Sequence, residues 1–439
     1  MSTPAPSATP PATSAAAAPA ARDAAARHGR IVVAGVGLVT PLGHGAWPTF
    51  RALLAGATLA DRADALPADV DAVGLVQALG HVAIARHAAL DPALELAERA
   101  AREAIQAASG AAPPALFLAT SKGAMHALTR VADRHARDRR IDDRDALAVA
   151  LGPHGYLTHH VARRMNLLPQ RHHVAACASS LASLHMARQH LLHQPVSAAN
   201  DRAAALVVTA EAALLPAFIH SYRRLGVLAP LTREGYRQRP LHVDRAGFML
   251  AEAGAAVLLE RLAPGEAPAP GQVELVDTAI AGEAYDMVRP APGMPALAHV
   301  ARRLLADRPI DVIHPHAPGT LEHDATELRL YHDLLAGRAR VAGAEVVAGV
   351  YACKGALGHS LGAGGLTAFV LACLSVTAGR LPPMGWLDAP LGREAVGFDL
   401  AAGAGAGARA GRSIERVGMH GVFAAGFAGH TAGAVVRRV

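Results

Sequence analysis

The chain has 439 residues, 52% hydrophobic but only 4% aromatic, and its 42 basic and 36 acidic residues leave a formal charge of +6. That is enough apolar material for a large core and two or three domain-sized units, packed mainly by Ala, Leu and Val. The positive charge is diffuse and no basic run alternates with aromatics, which argues against nucleic acid as a partner.

Residues 1–29 are Ala, Pro and Ser with a few Arg. They lack a basic start followed by an apolar run, so a disordered tail is expected rather than a signal peptide. Strands are expected at Ile31–Val33, Ala115–Leu118, Ala204–Val208, Ala256–Glu260, Asp311–Ile313, Val346–Val350 and Gly433–Val436. Helices are expected between them, at Pro92–Ala108, Leu181–His193 and Glu327–Leu335. The first has a clear start, with Asp91 as N-cap and Pro92 at the first helical position. Strand–helix alternation implies an α/β fold with parallel strands and right-handed crossovers. The Pro/Gly-rich stretch Ala263–Gly271 separates two halves of similar plan, 30–262 and 272–439. Ser360–Gly379 carries no charge. Its Gly, Ala, Ser and Thr content suits a buried helix, and no membrane span is assigned. Three cysteines, Cys177, Cys353 and Cys373, are too few for a disulfide framework and favour a reducing, cytoplasmic compartment.

Four segments carry potential chemistry. Cys177 lies in Ala175-Ala176-Cys177-Ala178-Ser179-Ser180, followed by Leu181, Leu184 and Leu191 at helical spacing. A helix N-terminus favours anions and so a thiolate, and tiny neighbours leave a substrate room to reach sulfur. A buried, inert cysteine remains the other reading. The segment His314-Pro315-His316-Ala317-Pro318-Gly319-Thr320 follows a strand, where parallel sheets place their chemistry. His316 alone also fits a hydrogen-bonded structural histidine. Asp324 and Glu327, three residues apart, fit a helix capping box. Lys354 and His359 are five apart in a glycine-rich loop, where glycines permit tight turns and close ligand approach. A plain turn with a solvated lysine is the alternative. It does not match a phosphate loop, and His316 and His359 lack zinc-motif spacing, so neither metal nor cofactor is expected. Gly421–His430 fits a tight turn between two strands. Lysine is rare: only Lys122 and Lys354 occur, and arginine serves everywhere else. A retained lysine invites a specific role.

In this order and spacing the segments resemble the β-ketoacyl synthase family over nearly all the chain after residue 30. Val33–Gly43 resembles the family's opening strand and loop, and Glu211, Arg239-Pro240 and Gly247-Phe248 match further signposts. The resemblance implies a thiolase-like fold: two similar βαβαβ-type halves in a five-layered αβαβα arrangement. It implies a homodimer or a heterodimer with a related subunit, and an acyl carrier protein as partner. Cys177 would be the nucleophile, and His316 and His359 the donors to an enolate. Lys354, paired with Glu327, would bias the site's charge. Backbone N–H groups of Cys177 and Phe427 would hold the oxyanion, with Phe427 also gating, and Thr320 would contact substrate. Several positions depart from the pattern. Pro318 replaces a threonine that contacts pantetheine, Ala246 replaces an aspartate before Gly247-Phe248, and the last turn carries Ala428 and His430. These departures suggest a specialised polyketide or polyene branch. The rivals are a non-catalytic chain-length-factor-like subunit, a thiolase, and an unrelated α/β binding protein. A thiolase would want a second reactive cysteine near the C-terminus, but the last, Cys373, lies in the apolar stretch.

Overall fold

The computed structural model describes residues 29–65, 71–84, 90–107, 114–138, 140–195, 203–231, 238–341, 347–400, 412–413 and 418–439. All but the last residue of the expected tail lies outside them.

Ten strands carry the architecture: β1 Ile31–Thr40, β2 Ala115–Ala119, β3 Pro169–His173, β4 Ala204–Glu211, β5 Ala253–Arg261, β6 Val273–Gly282, β7 Val312–His314, β8 Ala348–Val350, β9 Met419–Ala425 and β10 His430–Arg438. With the short strands Gly43–His44 and Phe398–Asp399 they form one 12-stranded sheet. Its order falls into two sets of five, β1-β5-β4-β2-β3 and β6-β10-β9-β7-β8. In each set the first two junctions are antiparallel and the last two parallel. The sets meet where Val32 and Val33 of β1 face Glu274 and Val273 of β6.

Helices lie on both faces of each set. They include α1 Pro92–Gln106, α2 Asp143–Met165, α3 Ser179–His193, α4 Pro216–Arg224, α5 Pro295–Leu305, α6 Leu321–Val341 and α7 Gly364–Ala378. Helices α3 and α7 touch strands of both sets and form the central layer, with α1 outside one set and α5 outside the other. The result is a five-layered αβαβα stack, as expected.

Local chemistry explains the main elements. The Asp91 side chain accepts from Ala93 N–H at 2.9 Å, and Pro92 opens α1. The buried face of α1 is mostly alanine: Ala93, Ala97, Ala100, Ala101 and Ala104. That thin face lets the helix press on β1, where a side chain at Gly35 or Gly37 would put its Cβ about 2 Å from the carbonyl oxygens of Ala104 and Ala100. The uncharged stretch forms α7, buried from Gly364 to Val376 between the two sets. Burial on all sides explains why it carries no polar stripe.

Three of these ten strands have no counterpart in the sequence reading: β3, β6 and β9. Pro-Gln-Arg-His-His of β3 shows no apolar alternation; its ladder to β2 holds it extended. Gly421–His430 holds most of β9, through Ala425, then a turn at Gly426–Gly429 and the first residue of β10, so the expected tight turn is confined to Gly426–Gly429.

Candidate active site

Cys177 leaves the carboxyl end of β3 and precedes α3. Ala176, at φ 46°, makes the bend. Ser179 secures it: its Oγ accepts from Ala175 N–H at 2.8 Å and donates to the Ala176 carbonyl at 2.6 Å. Leu181, Leu184 and Leu191 anchor α3 in the core. Ser180 Oγ accepts from Leu366 N–H at 2.9 Å, tying α3 to α7 and so Cys177 to the loop ahead of α7.

His316 follows β7. Its loop runs through Ala317, at φ 29°, and Gly319, at φ 91°, conformations costly for a side-chain-bearing residue. Two buried carboxylates on one face of α6 hold it. Glu327 Oε1 accepts from His316 N–H and Oε2 from Ala317 N–H, both at 2.7 Å. Asp324 Oδ1 accepts from Gly319 N–H at 3.0 Å and Oδ2 from Leu241 N–H at 2.8 Å. This corrects the capping-box reading. Helix α6 starts at Leu321, so Asp324 and Glu327 lie inside it and bind the preceding loop. Their spacing of three puts them on one face, which suits both roles equally.

Lys354 opens a short helix after β8, and its Nζ donates to the main-chain carbonyl of His316. The expected Lys354–Glu327 pair is therefore replaced by two separate grips on one loop, ammonium on the carbonyl and carboxylate on the amides. Glu327 is already occupied: Tyr331 Oη also donates to Oε1 at 2.7 Å, and His323 Nε2 lies 3.2 Å from Oε2. His359 is held by its main chain, with N–H donating to Met249 at 2.7 Å and C=O accepting from Ala251 at 3.1 Å.

Cys177, His316, His359, Phe427 and Thr320 all line one cavity of about 360 Å³, together with Pro318, Ala246, Phe248 and His323. Lys354 and Glu327 stand behind its wall. The imidazoles of His316 and His359 lie 5.5 Å apart between ring centres, and Phe248 packs on His359 at 4.8 Å. Gly426 brings the last turn against the nucleophile; a Cβ there would sit 2.8 Å from Cys177 N. Phe427 packs in the same apolar cluster as Cys177. Ala428, where the resembled pattern has glycine, takes φ 58° and is tethered by its N–H to the Met287 carbonyl at 2.9 Å.

Burial dominates the electrostatics. It pushes the Cys177 thiol up to about 11, against the opposite pull of Lys354 and Lys122. The helix N-terminus thus does not by itself make a resting thiolate. Burial, aided by Lys354 and His323, drives both His316 and His359 well below the ordinary imidazole range, so both rings are neutral. Nδ1 of each ring is buried without a partner. An unpaired acceptor is easier to bury than an unpaired N–H, so we assign the proton to Nε2 of each ring. The set thus comprises a neutral thiol and two neutral imidazole donors around one void. Burial works to raise Glu327, but hydrogen bonds from its many donors hold it below the usual carboxylate range.

His323 and Tyr331 escaped the sequence reading. The only signal for them was helical spacing, each four residues from Glu327. Among the described residues no cluster of three or more metal-ligating side chains occurs.

Residues 28–264 match the family described as beta-ketoacyl synthase, N-terminal domain, and residues 273–387 its C-terminal domain. A 3-oxoacyl-[acyl-carrier-protein] synthase 2 of Mycobacterium tuberculosis is 32% identical over 151 residues, 33% of this chain and 34% of that protein. The Mycobacterium leprae protein of that name is 28% identical over 216 residues, 48% of this chain and 49% of its own. The chain thus spans about a third to a half of the length of these relatives. Among solved structures, a type II polyketide acyl-carrier protein in complex with its ketosynthase superposes with TM-score 0.73 at 20% identity, covering 94% of this chain and 100% of that one. The ishigamide ketosynthase/chain length factor gives 0.72 at 19% identity, with the same coverage.

Proposed function

The chain belongs to the β-ketoacyl synthase family, and from that premise we propose that it is a catalytic β-ketoacyl-[acyl-carrier-protein] synthase, an acyltransferase making carbon–carbon bonds by decarboxylative condensation. The observation that carries the reading is one cavity lined by a thiol, two neutral imidazoles and an adjoining backbone turn.

Cys177 Sγ attacks the thioester carbonyl of an acyl carrier protein. The thiol proton passes to the departing pantetheine sulfur, which leaves as a thiol. The N–H groups of Cys177 and Phe427 receive the oxyanion. A malonyl thioester then enters and loses carbon dioxide. The resulting enolate oxygen accepts from Nε2–H of His316 and His359. Its carbon attacks the acyl-cysteine, releasing the β-ketoacyl thioester and the Cys177 sulfur, which takes back a proton. Lys354 and Glu327 touch no substrate; they position His316 through its main chain. Thr320 and Phe427 meet the incoming arm at the cavity wall. The protein works in the cytoplasm, as a homodimer or with a related synthase subunit. Pro318, Ala246, Ala428 and His430 favour a specialised polyketide or polyene pathway over housekeeping fatty-acid synthesis.

A second reading, a chain-length-factor-like partner that shapes another subunit's cavity, is favoured by the likeness of the fold to the ishigamide ketosynthase/chain length factor. Intact-mass measurement after incubation with acylated carrier proteins separates the two. Acylation of the wild type and none of Cys177→Ala supports catalysis. A folded wild type that takes no acyl group from any of several carriers assigns the chain to the partner role.

A further inference from the structure

Of the two lysines, Lys354 is accounted for by the His316 carbonyl; Lys122 has no part in the reaction above. It lies in the turn that leaves the carboxyl end of β2. That strand pairs in parallel with β3, which feeds Cys177, and with β4, which ends at Glu211. Lys122 and Cys177 therefore emerge side by side at the same edge of the sheet. Glu211 fixes the turn, accepting from Ser121 N–H and from Thr120 Oγ at 3.2 Å.

The Lys122 Nζ stands 5.6 Å from the ring centre of Phe218 and 5.8 Å from that of Tyr222, both on α4. The Tyr222 ring is 6.1 Å from Phe427 and 6.0 Å from Phe248. Cys177, Phe218 and Phe427 pack in one apolar cluster with Ile219, Tyr222 and Leu361. An acyl chain on Cys177 must leave the histidine cavity free for the second thioester. This cluster packs against Cys177, and the Lys122 ammonium stands over two of its rings.

The polar atoms there lack partners. Among the described residues Lys122 shows contacts with the two rings but no hydrogen bond or ion pair. Ser121 Oγ and Glu211 Oε2 are buried and unpartnered. A saturated chain laid against the Lys122 ammonium would strip its water and return no hydrogen bond. An oxygen on the chain would accept from Lys122.

We propose that Lys122 is a specificity-determining residue for the acyl group on Cys177, selecting chains that carry an oxygen acceptor, whether keto, hydroxyl or carboxylate, over saturated hydrocarbon. This rests on the reading that Cys177 is acylated. The test uses the full chain and matched medium-length acyl-pantetheine thioesters: saturated chains, and the same chains with a keto group moved stepwise from the thioester. Acylation rates of Cys177 are read by intact mass for wild type and Lys122→Met. At one or more keto positions the wild type should react about tenfold faster than with the saturated match, the worth of one charge-assisted hydrogen bond. Lys122→Met should lose that ratio while keeping or raising its rate on the saturated chain. A wild-type ratio near one at every keto position, or a ratio unchanged in Lys122→Met, overturns the inference while leaving Cys177 acylation intact. Absence of acylation by any thioester in the folded wild type overturns the proposed function, and this inference with it.

Discussion

The turn carrying Lys122 and the loop carrying His316 occupy equivalent places in the two strand sets, after β2 and after β7. Each is braced by a buried glutamate, Glu211 in one and Glu327 in the other. The two carboxyls nonetheless differ. Glu327 has donors on both oxygens and is held below the usual carboxylate range. Glu211 Oε1 has two partners while Oε2 has none, and burial pushes this carboxyl up to about 7 against the pull of Ser121, Lys122 and Thr120. Burial is complete in both, so the supply of donors decides which one stays charged. The charged one holds a catalytic loop rigid; the other lies beside a lysine with polar capacity left over.

The sharpest way to break this comparison is Glu327→Ala. It strands the N–H groups of His316 and Ala317 and the Tyr331 hydroxyl, and should cost about 3–5 kcal/mol. A urea-midpoint loss worth less than about 1 kcal/mol would mean that Lys354 and Asp324 hold the loop without it. Below that in size is Glu211→Gln. Glu211 binds its proton more tightly folded, at about 7, than unfolded, at the ordinary 4.5. Its contribution is therefore fully present below 4.5 and lost as pH rises to 7, a change of about 3 kcal/mol. The Gln variant lacks that slope, so it should gain on the wild type across this window and remain more stable above pH 7. Parallel curves from pH 4.5 to 8 would show that Glu211 is ionised throughout. Glu327 has the opposite sign: its contribution is present above the unfolded value and lost as pH falls through the depressed folded one. The smallest effect belongs to Ala428→Gly, at the turn beside Cys177. Releasing a left-handed alanine returns roughly 1 kcal/mol, partly offset by unfolded-chain entropy. A rise in Tm of a degree or two is expected, with acylation kept; a fall would show that Cβ packing outweighs the strain.

Much of this was legible in the residues. Cys177, His316, Lys354 and His359 stand out because reactive types sit among small ones at strand ends, and α1 announces itself through Asp91 and Pro92. What could not be read is tertiary. Lys354 meets a main-chain carbonyl, which no residue pattern encodes. Asp324 and Glu327 satisfy the capping template by spacing alone, and only the start of α6 at Leu321 excludes it. The β3 segment is extended because β2 pairs with it, not because Pro-Gln-Arg-His-His prefers to be.

The seam between the two strand sets has a consequence for how the chain is made. Ile31 of β1 faces Arg261 of β5, and β6 cannot complete its ladder until β10 is available. Strand β1 must wait for partners, β5 and β6, that lie hundreds of residues behind it. Synthesis at roughly 5–20 residues per second makes that wait many seconds long. Helix α7, apolar on every side, emerges before β9 and β10 can cover it. Nascent chains should therefore depend on holdase chaperones until β9 and β10 have emerged, and slow refolding with a strong concentration dependence of yield is expected after dilution from denaturant.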